Sequence, residues 1–165
     1  MLIIRDALVT DLPILLDIYN EAIRTTTATF DLKEETLENR ETWFRKYGEK
    51  YPLIVAEDNG SVVGYACLNP FRDKPAYSRT TELSVYIFAH HHGAGIGSAL
   101  MKEIINRAQI LGYHTVIGGI TTGNDRSVKL HEKFGFKHIG TFKEVGYKFD
   151  EWQDVEFYQL MLPLE

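Results

Sequence analysis

Between residues 89 and 99 the chain reads Ala89-His90-His91-His92-Gly93-Ala94-Gly95-Ile96-Gly97-Ser98-Ala99. On its N-terminal side, Thr80–Phe88 alternates Leu83, Val85 and Ile87 against Ser84, Tyr86 and Phe88, which is the period of a strand. On its C-terminal side, Ile96, Leu100, Ile104, Ala108 and Leu111 recur at helical spacing, and Gly112 is placed to end that helix. Glycines in such a link let the backbone turn sharply and approach a ligand. The start of the helix adds unpaired N–H groups and the positive end of its dipole. The combination predicts a seat for a diphosphate, against the plainer reading of a flexible turn.

Two known phosphate loops do not fit. A Walker loop ends in Gly-Lys-Ser/Thr, whereas Gly97 is followed by Ser98-Ala99 and no lysine is available. A dinucleotide fingerprint spaces its glycines G-x-G-x-x-G, and here Ser98 takes the third place. The acidic residue expected further on is also missing, since Tyr113–Gly119 has no carboxylate. A nicotinamide enzyme is therefore disfavoured.

Toward the N-terminus, the spacing predicts a strand at Leu2–Ala7 and a helix over Asp11–Arg24 with Pro13 in its first turn. A threonine-rich loop follows at Thr25–Thr29. A second helix is expected over Glu35–Tyr47, with Trp43, Phe44 and Tyr47 on its apolar face. Leu53–Glu57 and Ser61–Leu68 read as strands joined by Asp58-Asn59-Gly60, a strong hairpin signal. Asn69–Ser78 is a loop. Toward the C-terminus come a strand at His114–Thr121, a helix at Asp125–Phe134 closed by Gly135, and strands at Phe136–Glu144 and Val155–Leu162. That order predicts an α/β fold with a mixed sheet and helices on both faces, not a doubly wound parallel sheet.

The 165 residues fit one domain, 1–165. Apolar residues make up 44%, enough for a sizeable core. The net charge of -5 comes with no basic run, so no nucleic-acid partner is expected. No apolar stretch approaches the roughly 20 residues that cross a bilayer, so no membrane partner is expected either. Met1–Arg5 lacks a basic signal-peptide region, and the cytoplasm is the expected location. The one cysteine, Cys67, excludes an intrachain disulfide and reads as a packing residue. No metal is expected. The adjacent His90, His91 and His92 point in different directions, and no carboxylate or thiolate completes a set.

The run His92-Gly93-Ala94-Gly95-Ile96-Gly97 resembles the Gln/Arg-x-x-Gly-x-Gly/Ala pattern of the GCN5-related N-acetyltransferase superfamily, with histidine at the leading position. Asn124-Asp125-Arg126-Ser127-Val128-Lys129-Leu130-His131-Glu132-Lys133-Phe134-Gly135-Phe136 is similar to a second landmark of that superfamily. Histidine at His131, where most members have tyrosine, is similar to the phosphinothricin N-acetyltransferase subgroup. So are Glu82, Pro75-Ala76-Tyr77, Trp152-Gln153-Asp154-Val155 and Tyr158-Gln159. The resemblance runs over nearly the whole chain.

It implies a mostly antiparallel sheet of six to seven strands, splayed between the fourth and fifth. It also implies a homodimer that uses acetyl-CoA to acetylate small amino-acid-like amines such as phosphinothricin, methionine sulfoximine or methionine sulfone. Glu82 is then the candidate base and His131 the candidate acid or base, their bland alternatives being a structural glutamate and a core histidine. The coenzyme's diphosphate would meet His92, Gly93, Ala94, Gly95, Gly97 and Ser98. Its pantetheine arm would pair with Val85, Tyr86 and Ile87, and an N–H there would serve the oxyanion. Asn124 and Ser127 would flank the arm, with Asn124 also able to cap its helix. Arg72 or Arg79 would hold a substrate carboxylate, and Phe30 and Tyr77 would form walls. The aromatics Trp152, Phe157 and Tyr158 read as core or dimer-interface residues, and Lys133 as a solvated surface position. The rival readings are a related enzyme for protein N-termini or polyamines, and a non-catalytic coenzyme A module. The last would need neither Glu82 nor His131.

Overall fold

The computed structural model describes residues 1–164. Its chain order is β1 (Leu2–Asp6), α1 (Leu12–Thr25), α2 (Leu37–Phe44), β2 (Leu53–Asp58), β3 (Ser61–Pro70), β4 (Thr80–Ile87), α3 (Ile96–Ile110), β5 (Thr115–Thr121), α4 (Asp125–Lys133), β6 (Lys137–Lys148) and β7 (Glu151–Met161). The strands form one sheet in the order β1-β2-β3-β4-β5-β7-β6. Each neighbouring pair is antiparallel except β4 and β5. The expected α/β class and mixed sheet are both present.

Strand alternation divides the interior into two cores. One face of the sheet packs Ile54, Ala66, Leu68, Leu83 and Val116 against Leu100, Met101, Ile104 and Ala108 of α3, with Val128 and Leu130 of α4 beside them. The other face sets Val55, Tyr65 and Cys67 against Leu15 and Ile18 of α1, with Trp43 and Phe44 of α2 close by. Leu100, Met101 and Ile104 are fully buried, so the stripe that predicted α3 is also what fastens it. The Asn59-Gly60 turn is present, both residues with positive φ (50° and 85°).

The feature that positions the site is a fork. β4 and β5 pair only over Thr80↔Thr115, Thr81↔Val116 and Glu82↔Ile117. Beyond Glu82, Leu83–Ile87 keep β3 as their sole partner, while β5 stays with β7 through Thr121. The edge of β4 that faces away from β3 is thus left open, as the expected splay requires.

Two elements differ from expectation. α2 is shorter than Glu35–Tyr47, because the Thr36 side chain accepts from the Asn39 N–H and starts the helix there. β6 and β7 run on past Glu144 and begin before Val155, forming a long hairpin. Its turn, Phe149-Asp150, places both residues at positive φ (55° and 59°) without a glycine. A sequence reading that looks for Asn-Gly or Asp-Gly passes over such a turn.

Candidate active site

The glycine link leaves unpaired amides at the head of α3. Gly93 and Gly95 have φ of +83° and +81°, a backbone that side-chain-bearing residues adopt at a cost. The first main-chain bond of α3 runs from the Ala99 N–H to the Gly95 carbonyl, 3.1 Å. The N–H groups of Ile96, Gly97 and Ser98 precede it, and no side chain caps the helix. Three donors therefore point outward beside the positive end of a 15-residue helix. Ala94 is exposed at the tip between the two turning glycines. Gly97 lies where α3 meets α4, and a Cβ there would sit 3.2 Å from Leu130 Cδ2.

Local cations offset the chain's net negative charge. Lys133 Nζ donates to Ser98 Oγ at 2.8 Å, so this lysine, exposed as expected, also reaches the start of α3. Arg126 donates to His92 Nδ1. Burial and the charge of Arg126 push the His92 pKa down, which favours the neutral ring. With Nδ1 accepting, Nε2 carries the hydrogen and donates to the Ile87 carbonyl, 3.1 Å away. His92 thus ties the link to the end of β4. Val85 faces the open edge of that strand, whereas the Phe88 N–H to Val63 carbonyl bond (3.0 Å) shows that Tyr86, two residues back, turns its backbone groups toward β3, and the Ile87 carbonyl is taken by His92.

On the α1–α2 side of the fork lies an open cleft of about 620 Å³. That volume suits a small molecule. Its floor is three rungs of the β3–β4 ladder: Tyr65↔Tyr86, Cys67↔Ser84 and Asn69↔Glu82. Asn69 braces the end of this floor. Its amide donates to the Glu82 carbonyl and to Ser84 Oγ, each at 3.2 Å, and it accepts from the Tyr47 hydroxyl at 2.5 Å. The Glu82 side chain stands at the crotch of the fork, half-buried. Among the described residues its carboxylate makes no hydrogen bond or ion pair. Burial pushes its pKa up from the ordinary carboxylate value, and the positive charge of Arg72 opposes that rise. A carboxylate raised in this way and unspent on neighbours is equipped to take a proton.

His131 approaches from the opposite face. It is buried against Phe136 and Tyr158, ring centroids 4.9 and 6.3 Å away. Its Nδ1 lies 2.7 Å from the Ser127 carbonyl, which can only accept, so Nδ1 carries the hydrogen. Burial pushes its pKa down, outweighing that hydrogen bond, so the ring is neutral with Nε2 free to accept. Nε2 lies against Gly118, where an added Cβ would come within 2.7 Å of it. Gly118 follows Ile117, the last residue of β5 paired with β4. Glu82 and His131 therefore flank the fork from the two faces of the sheet instead of sharing one cleft. Asn124 caps α4 by accepting from the Ser127 N–H at 3.3 Å.

The other expected substrate residues are spread out. Arg72 and Tyr77 both pack against Phe71, with the Arg72 guanidinium 4.7 Å from its ring centroid and the Tyr77 ring 5.6 Å away. Of the two, Arg72 is the one whose charge reaches Glu82. Phe30 lies over Gly146 of β6, where a Cβ would strike its ring. Its loop is pinned by Lys148 Nζ to the Thr29 carbonyl at 2.8 Å and Thr121 Oγ1 to the Thr27 carbonyl at 2.7 Å. Arg79 is not brought to Glu82. It lines a separate hollow with Glu49, Lys50 and Tyr113. Trp152, read as core or interface, is exposed in the single chain. Cys67 is buried on the cleft floor, and burial pushes its thiol pKa up, so it is inert as a nucleophile. Asn69, Ser84, Tyr65 and Lys133 were not singled out from sequence as site residues. The signal for the first three was the period of two, which puts them on the Glu82 face of β3 and β4.

The profile of the acetyltransferase (GNAT) domain family matches residues 4–156. The L-methionine sulfoximine/L-methionine sulfone acetyltransferase of Pseudomonas aeruginosa is 40% identical over 161 residues, covering 96% of this chain and 94% of the relative. Two crystal structures share the fold. The ribosomal-protein-alanine N-acetyltransferase of Brucella melitensis has a TM-score of 0.95 and 42% identity, covering 97% of this chain and 99% of that one. The phosphinothricin acetyltransferase of Sinorhizobium meliloti, solved in complex with acetyl-CoA, has a TM-score of 0.94 and 34% identity, covering 98% of this chain and 88% of that one.

Proposed function

The chain belongs to the GNAT acetyltransferase family, as an N-acetyltransferase with acetyl-CoA as its co-substrate, and we propose that its acceptor is the primary amine of a small amino-acid-like molecule. Phosphinothricin, methionine sulfoximine and methionine sulfone are the acceptors that the names of its relatives favour. The observation that carries this reading is the unpaired, pKa-raised Glu82 lining an open cleft at the fork.

The proposed mechanism is direct attack in a ternary complex. The amides of Ile96, Gly97 and Ser98 hold the coenzyme's diphosphate, and the open edge of β4 pairs with its pantetheine arm. The gap between β4 and β5 then lets a thioester held on the α3–α4 side meet an amine held on the α1–α2 side. Glu82 takes the amine's proton, directly or through a water. An N–H on the open edge of β4 steadies the oxyanion. His131 is assigned to the departing sulfur. Its ring rests neutral with Nε2 bare, so it takes the second proton, which the nitrogen sheds after attack, and passes it to the leaving thiolate; burial, which lowers its pKa, makes that transient imidazolium a ready donor. Release of free thiol from acetyl-CoA in the presence of methionine sulfone, phosphinothricin, an alanine-ended peptide or a polyamine tests the reading. The amino-acid analogues should be turned over fastest. A peptide turned over faster would favour a protein N-terminus as acceptor instead.

The pH profile follows from the sign of the Glu82 shift. The base must be ionised, so kcat/KM rises with pH through a pKa above the ordinary carboxylate value. The charge of Arg72 holds that pKa down. The Arg72→Gln variant should therefore move the acid limb to higher pH, and a limb left in place would contradict the assignment.

The protein is further proposed to act as a homodimer, with one N-acetyltransferase domain per chain, in the cytoplasm. No helix among the described residues is long and apolar enough to cross a membrane. The β6–β7 hairpin supports the dimer, because it exposes Phe142, Val145, Tyr147 and Trp152, each more than half accessible. Tyr147 and Trp152 pack ring to ring at 4.9 Å, and Phe142 on Phe157 at 5.1 Å, so the apolar face is preformed. Sedimentation velocity should give twice the monomer mass for the wild type and a monomer for Trp152→Asp. A monomeric wild type would exclude the dimer.

A further inference from the structure

Arg40 on α2 is only 4% exposed, yet its guanidinium lines the Glu82 cleft. Its central carbon lies 3.5 Å from the Trp43 ring centroid and 4.3 Å from that of Tyr19. One terminal nitrogen donates to the Tyr65 hydroxyl at 2.6 Å. Its Nε has no partner, the one such buried side-chain nitrogen or oxygen among the described residues. No ion pair among the described residues includes Arg40. Asp31 and Glu35 line the same cleft, but Asp31 accepts from the Tyr19 hydroxyl and neither carboxylate reaches the guanidinium.

Aromatic faces soften the burial of a cation but do not satisfy its N–H groups. A buried arginine with no counter-charge is costly unless an anion or an oxygen-rich group arrives to complete it. The fork geometry of a guanidinium suits two oxygens on one atom. Burial also pushes the Tyr65 pKa well up, so its hydroxyl keeps a proton to donate beside the arginine.

The ladder fixes where this seat lies relative to the base. Tyr65 and Glu82 stand on rungs four residues apart along β3, with Cys67↔Ser84 between them. At the rise of a strand, that is about 13 Å between their backbones. Arg40, bonded to the Tyr65 hydroxyl, belongs to that farther rung, and its charge is not among those acting on Glu82. Arg72, whose charge reaches Glu82, is the nearer cation.

We propose that Arg40, with the Tyr65 hydroxyl, is the seat for the distal oxygens of the acceptor, a phosphinate or sulfone at the far end of its side chain. The cleft then gauges its substrate by length: amine at Glu82, distal oxygens at Arg40. This rests on the small amino-acid acceptor proposed above and assigns a specificity residue within it.

The test compares three acceptors of similar length: phosphinothricin with an anionic distal group, methionine sulfone with a neutral one, and norleucine with none. The wild type should prefer both oxygen-bearing acceptors to norleucine in kcat/KM. In Arg40→Gln, the ratio of phosphinothricin to norleucine should fall about 30-fold, the scale of a lost charge-assisted hydrogen bond. Arg40→Lys, which keeps the charge but not the fork, should retain part of the phosphinothricin preference and little of the sulfone preference. Calorimetric binding of acetyl-CoA shows whether each variant is folded. A ratio unchanged in a folded Arg40→Gln overturns the proposal. So does a wild type that shows no preference over norleucine, and that result needs no variant. A wild type that acetylates none of the three overturns the acceptor reading itself, a different failure.

Discussion

Glu82→Gln lowers kcat/KM for the acceptor amine by about 1000-fold, within the usual range for loss of a general base. The expectation comes from the position of Glu82, not from its residue type. It is the last residue of β4 paired with β5, its carboxylate is unspent, and burial has raised its proton affinity. Glutamine keeps the size and the hydrogen-bonding reach but cannot accept a proton from an ammonium group. Because the proposed coenzyme seat is at the head of α3, on the other side of the fork, the affinity for acetyl-CoA should stay within about twofold. Stopped-assay kinetics with calorimetry on the same protein check both halves. A loss of coenzyme affinity equal to the loss of rate would mean that Glu82 supports the fold of the fork and is not the base.

The paired change Gly93→Ala and Gly95→Ala weakens acetyl-CoA binding by about 100-fold. Nothing lies within 4 Å of a Cβ at either position, so crowding is not the cause. The cause is backbone. Both residues sit at φ near +80°, where an L-residue is destabilised by about 1–2 kcal/mol each. The link can relieve that strain by abandoning its conformation, and the amides of Ile96, Gly97 and Ser98 then no longer converge. Affinity falls by the fraction of molecules that keep the binding form. The core beneath, Leu100, Met101 and Ile104, is untouched, so thermal unfolding should shift far less than binding does. Unchanged affinity would show that the diphosphate is not held by this link.

Much of this architecture was readable from residue order. The alternation over Thr80–Phe88 and the helical stripe from Ile96 are strong periodic signals, and each survives because the same residues that carry the period fill the core. Gly93 and Gly95 were legible for a similar reason, since a left-handed backbone narrows the choice of residue. What escaped was of two kinds. The Phe149-Asp150 turn carries no glycine, so the β6–β7 hairpin was read too short. Trp152, read as core or dimer-interface, lies on an exposed apolar face, which removes the core half of that reading.

The second kind is tertiary. Arg40 was not singled out from the sequence, because its surroundings include Tyr19 and Tyr65, which come from α1 and β3. Lys133 reaches Ser98 only because α4 packs beside α3. Arg72 and Arg79 are close in sequence, but the loop turns between them, and only Arg72 acts on Glu82. The spacing that named Glu82 and His131 did not show that they stand on opposite faces of the sheet.

That opposition makes the account depend on both reactants being held at once, one on each side of the gap. Steady-state rates with acetyl-CoA and methionine sulfone both varied, read with the intact mass of enzyme exposed to acetyl-CoA alone, test it most directly. The account predicts intersecting double-reciprocal lines and an unmodified protein. Parallel lines with an acetylated enzyme would contradict it.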